Sequence, residues 1–157
     1  MKIKGKHVSH LLKLLYSSAL LLSTTACQQQ FKVGPTQPTE AALVANAYQN
    51  GLTTTLNIPY EAAYKNLKIA YGRCVAFTAE TDFVYTDNRF EPDFEMATLF
   101  GRTKGGVYLY KTTVESLDPN TTTLTLYVPQ NYSFAQARFK QDIQRALGLD
   151  QQCNLKP

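Results

Sequence analysis

Apolar and polar positions alternate most cleanly in the middle of the chain. Leu52, Thr54, Leu56 and Ile58 share one parity of a threonine-rich run, which predicts a strand. Val75 to Tyr85 and Phe94 to Arg102 predict two more, with Thr86-Asp87-Asn88-Arg89 as the turn between them. Val107 to Leu117 and Thr121 to Val128 are the clearest strands, joined by Asp118-Pro119-Asn120. Thr103-Lys104-Gly105-Gly106 marks a hairpin ahead of them. The period changes to that of a helix in two places. Tyr60, Ala63, Tyr64, Leu67, Tyr71 and Cys74 line one face of a helix over 60–72 that begins after Pro59. Ala135, Phe139, Ile143 and Ala146 line a helix over 134–147. Ser133 and Gln136 have capping-box spacing at its start, and Gly148 ends it. Strands grouped in a run with helices outside it predict an α+β fold. The expected architecture is a single curved antiparallel sheet of about five strands packed against two helices, in the order β-α-β-β-β-β-α.

The N-terminus has a different pattern. Lys2, Lys4, Lys6 and Lys13 precede the apolar run Leu14 to Leu22, and small residues lead to Ala26-Cys27. That is the order of a secretory signal. Lys13 bounds an apolar stretch well short of the roughly 20 residues needed to span a bilayer.

Removing residues 1–26 changes the charge. The basic surplus of +4 belongs to the signal, and residues 27–157 carry 12 basic and 12 acidic side chains. No electrostatic argument for nucleic acid survives. Both histidines, His7 and His10, leave with the signal, and the chain has no tryptophan. Ser-His-Asp and Cys-His nucleophiles, a histidine base and a histidine-containing zinc site are thereby excluded.

Leu20-Leu21-Leu22-Ser23-Thr24-Thr25-Ala26-Cys27 resembles the lipobox of bacterial lipoproteins. Thr24 stands where that family usually carries an aliphatic residue. The resemblance implies a diacylglyceryl thioether and an acylated amino group on Cys27, a membrane anchor of several acyl chains. Gln28 after the cysteine implies the outer membrane, periplasmic side. Ordinary signal cleavage after Ala26 is the alternative. The expected organisation is a signal over 1–26, a lipidated N-terminus and flexible tether over 27–50, and one α+β domain over 51–157. Gln28-Gln29-Gln30, Gly34, Pro35 and Pro38 suit a tether, and Glu40 to Tyr48 suits a helical turn within it.

Cys74 and Cys153 then remain. In an oxidising compartment the default is a structural disulfide, with a redox pair or two buried thiols as alternatives. No Cys-x-x-Cys spacing accompanies them. The element order is also similar to the helix-grip domains of some envelope lipoproteins, by topology alone.

Candidate chemistry is sparse. Tyr108, Tyr110 and Tyr127 are the candidates for a groove that takes a peptide, glycan or lipid, but ordinary cross-strand pairing on a partly exposed sheet is the reading favoured by burial statistics. Glu80 to Glu95 concentrates six acids against Arg89. It lacks the alternating, glycine-centred loop of a calcium site, and a solvated face explains it. Within it Asp93 and Glu95 alternate, and are the candidates for a carboxylate-dependent envelope hydrolase. Gly101 to Gly106 misses the phosphate-loop pattern, because Val107 stands where that loop needs lysine. The reading is a non-enzymatic binding or scaffolding lipoprotein without cofactor or metal. It is attached to the membrane through Cys27, and its partner is an envelope protein, glycan or lipid.

Overall fold

The computed structural model describes residues 35–78, 83–151 and 153. The expected signal, Cys27 and residues 28–34 lie outside them. The sheet contains β1 (Leu52–Leu56), β2 (Phe77–Thr78), β3 (Phe83–Glu91), β4 (Met96–Thr103), β5 (Tyr108–Asp118) and β6 (Thr121–Tyr127). Their spatial order is β1-β6-β5-β4-β3-β2, and every neighbouring pair is antiparallel. The fold is α+β, with a five-stranded antiparallel sheet extended by the two residues of β2.

Helices α1 (Glu40–Ala45), α2 (Tyr60–Cys74) and α3 (Ala135–Ala146) complete the fold. Successive strand residues face opposite ways. On one face, Leu99, Val114, Leu124 and Leu126 meet Leu67 and Tyr71 of α2 and Ala135, Phe139 and Ala146 of α3. Burying one leucine-sized side chain contributes about 1.5–3 kcal/mol, so this inner face is where the sheet and the two long helices are held together. At the end of α3 the Gly148 N–H donates to Arg145 O at 3.0 Å and the Leu149 N–H to Gln144 O at 2.9 Å. With Gly148 at φ 79, this is the Schellman closure that the glycine predicts.

Four expectations are corrected. The domain does not begin at residue 51. The Gln37 N–H donates to Tyr108 O at 2.8 Å, and the Tyr48 N–H donates to Val128 O at 2.9 Å. Leu43 of α1 is wholly buried, and α1 lies across the outer sheet face, the face carrying Lys111 and Thr113 of β5. Residues 37–50 therefore belong to the domain rather than the tether, because Leu43 and Ala47 find apolar cover there.

The predicted turn at Thr86–Arg89 is the middle of β3, paired with Gly101 to Thr98 of β4. Asn88 points inward, where the Tyr64 hydroxyl donates to its Oδ1 at 2.5 Å. The charged Asp87 and Arg89 face outward. The hairpin turns instead at a 3-10 segment, Pro92–Phe94, followed by Glu95 at φ 48. Asp93 and Glu95 are thus exposed hairpin residues and do not alternate along a strand. Finally, the capping box does not form. Phe134 occupies the N-cap, and the Gln136 amide donates to Gln49 Oε1 at 3.2 Å.

Candidate functional site

Polar chemistry gathers in two places. The first is the outer sheet face, where three cations stand over aromatic rings. Arg102 lies 4.8 Å from the Tyr108 ring centre, Arg89 5.6 Å from that of Phe100, and Lys111 5.7 Å from that of Tyr127. Acids interleave with them. Lys111 Nζ is 2.7 Å from Glu40 Oε1, Arg89 Nε is 2.9 Å from Glu91 Oε2, and Arg102 Nη1 is 3.5 Å from Asp87 Oδ2. Glu40 sits at the first turn of α1, whose N-cap is Thr39: the Ala42 N–H donates to Thr39 Oγ1 at 3.1 Å. An open depression of about 550 Å³ lies beside α1, lined by Glu40, Ala41, Val44, Ala45 and Lys111. The arrangement offers the half-buried Tyr108 and Tyr127 rings with cations over them and acids paired to those cations, which suits recognition of a mixed polar and apolar surface.

The second place is inside. Asp142, wholly buried on α3, accepts from Arg138 Nε at 3.0 and 2.9 Å, from Arg145 Nη1 at 3.2 Å and from the Tyr71 hydroxyl at 2.6 Å. The Tyr71 oxygen also lies 2.8 Å from Thr112 Oγ1 of β5. Arg145 continues the network to Asp150, with Nε donating to Oδ2 at 3.3 Å. The Arg138 guanidinium lies 5.0 Å from the Tyr71 ring centre and 4.5 Å from that of Tyr110. Burial, reinforced by the Asp142 carboxylate, pushes the Tyr71 phenol well above its ordinary pKa. Burial raises Tyr110 too, against the opposing pull of Arg138. Desolvation alone would lower the Arg138 pKa, but Asp142 outweighs it and the guanidinium stays charged. Burial thus keeps two phenols protonated, and the network ties α2, α3 and β5 together.

Of the residues singled out in the sequence, Cys74 and Cys153 come together as a disulfide with Cα atoms 5.3 Å apart. It joins the end of α2 to the segment after α3. The three tyrosines do not share a groove. The β4–β5 register shifts between Gly101 and Arg102, pairing Gly101 with Tyr110 but Arg102 with Tyr108. Leu109 is the extra residue of that bulge, and it turns Tyr108 to the outer face. There Tyr108 meets Phe100 edge to face at 5.6 Å, while Tyr110 stays buried against Tyr71 at 5.3 Å. Tyr127 is on the outer face beside Lys111. Cys27 lies outside the described residues.

The buried network escaped the sequence reading. Its signal was present: Arg138, Asp142 and Arg145 have helical spacing, and Asp142 falls inside the stripe formed by Ala135, Phe139 and Ala146. A carboxylate at a core position of an amphipathic helix requires a buried partner.

No protein-family model and no curated protein matches the chain.

Proposed function

We propose that the protein is a lipid-anchored lipoprotein of the bacterial outer membrane, facing the periplasm, whose α+β domain binds another envelope component and does not catalyse a reaction. The observation that carries this reading is the Cys74–Cys153 disulfide. Such a bond belongs to an oxidising compartment, as the signal-like N-terminus requires, and it leaves Cys27 of the three cysteines for the lipid. The outer sheet face supports the binding role, since Arg89, Arg102 and Lys111 stand beside aromatic rings there. The inner ion network supports a structural role for the remaining charge, because its phenols are held protonated and its carboxylates serve arginines.

Metabolic labelling with an alkyne palmitate analogue, followed by membrane fractionation, tests the anchor. The wild-type chain takes the label and sediments with outer membranes, and Cys27→Ser loses both properties. An unlabelled, soluble wild-type protein would overturn the assignment. For the binding role, photo-crosslinkers at Tyr108 and Tyr127 should capture one reproducible partner. Labelling confined to non-specific neighbours at both positions counts against the outer face.

A further inference from the structure

We propose that β1 pairs with the β1 strand of a second copy of the chain, antiparallel and about a two-fold axis through Thr54, so that two sheets join into one. The two edges of the sheet differ. Beyond its short pairing with β2, β3 carries Asp87, Arg89 and Glu91 along its length. Charges of this kind discourage edge-to-edge association. The opposite edge, β1, reads Leu52-Thr53-Thr54-Thr55-Leu56, with no charge, no proline and no bulge in its register with β6. Among the described residues no strand lies beyond it.

The sequence of β1 is the same in both directions. A two-fold antiparallel pair centred on Thr54 places Leu52 opposite Leu56 of the other copy, Thr53 opposite Thr55, and Thr54 opposite itself. Such an isologous contact requires a self-complementary patch, and a palindromic strand supplies one residue by residue. Inner and outer faces also match across the axis. Leu52, Thr54 and Leu56 pair with the inner-face residues Leu126, Leu124 and Thr122 of β6, and Thr53 and Thr55 are exposed on the outer face. The same sheet already contains a threonine pair of this kind, since the Thr53 and Thr125 hydroxyl oxygens are 3.1 Å apart across β1 and β6. A second β1 would extend the inner apolar rows and the outer threonine rows without exchanging faces. This pairing holds whether or not Cys27 carries lipid.

Cysteine crosslinking of the full-length gene product in intact cells tests it. Cells are treated with a membrane-permeable oxidant, and dimers are read on a non-reducing gel. A residue on the axis meets its own copy at a Cα distance of about 4.5–5.5 Å, within disulfide reach. Thr54→Cys alone should therefore give a dimer band at least about tenfold stronger than Asn131→Cys, an exposed control site, because a held contact raises the local thiol concentration. Thr53→Cys and Thr55→Cys should each crosslink weakly alone and strongly when co-expressed. Retention of the Cys74–Cys153 bond reports that each variant is folded. Control-level crosslinking of folded Thr54→Cys overturns the proposal. So does Thr53→Cys crosslinking with itself as well as with Thr55→Cys, or a product whose mass is not twice that of the monomer. Should Thr54→Cys fail to fold, the exposed pair at 53 and 55 decides alone.

Discussion

The Tyr71 hydroxyl donates to the Asp142 carboxylate at 2.6 Å, joining two helices at a point where water has no access. Asp142 is the common acceptor for Tyr71, Arg138 and Arg145, so the cost of removing it falls on three donors at once. Asp142→Ala should lower unfolding stability by about 3–5 kcal/mol, the range for leaving buried charge uncompensated. Urea denaturation followed by circular dichroism measures it. A loss below about 1 kcal/mol would mean that the arginines reach water instead.

The phenols of Tyr71 and Tyr110 make stability fall at alkaline pH. Their pKa values are raised in the folded chain, above the ordinary tyrosine value of about 10. The unfolded chain therefore loses these protons first as pH rises. The stability contributed by both is complete below about pH 10 and is lost as pH climbs through the folded values. Absorbance at the tyrosinate band should show two phenols that ionise only together with unfolding. In a Tyr71→Phe, Tyr110→Phe double variant that late step should vanish.

Gly101 is required by the ring opposite it. A Cβ built at Gly101 would stand 1.9 Å from Tyr110 Cε1, far inside contact distance. Gly101→Ala should destabilise by at least about 1–3 kcal/mol, the range for overpacking a filled core. Adding Tyr110→Leu should recover part of the loss, since it removes the obstructing ring. A double-mutant cycle in thermal denaturation checks the coupling, and additive losses would contradict it.

Leu43 measures whether α1 is part of the cooperative unit. Its side chain is completely covered. Leu43→Ala should cost about 2–5 kcal/mol by the usual large-to-small penalty. An unchanged midpoint with faster proteolysis confined to residues 37–50 would show instead that α1 opens independently.

The inner face of the fold was legible in the residues because its signals are local. Leu124 and Leu126 alternate with threonines, and Ala135, Phe139 and Ala146 keep helical spacing, so strand and helix follow from period alone. Asp87-Asn88 carries turn chemistry but lies within β3. Pairing with β4 outweighs it, and that pairing depends on residues more than ten positions away. The cover that makes Leu43 a core residue comes from strands far along the chain, so α1 resembled a tether. Strict alternation puts Tyr108 on the face of Tyr110, and a bulge set by the partner strand reverses it. The charged positions of α3 were visible. Their partner Tyr71, 71 residues before Asp142, was not.

The Cys74–Cys153 bond closes a covalent ring over a sequence separation of 79 residues. The ring contains β2 to β6 and α3, while α1, β1 and nearly all of α2 enter from outside it. A single backbone nick in the β4–β5 or β5–β6 connection would leave the two pieces tethered to each other. The same nick at Asn57 to Pro59, between β1 and α2, would separate the molecule into two chains. After a cut at that junction only the β1–β6 ladder and the packing of α1 would hold the N-terminal segment to the rest of the domain.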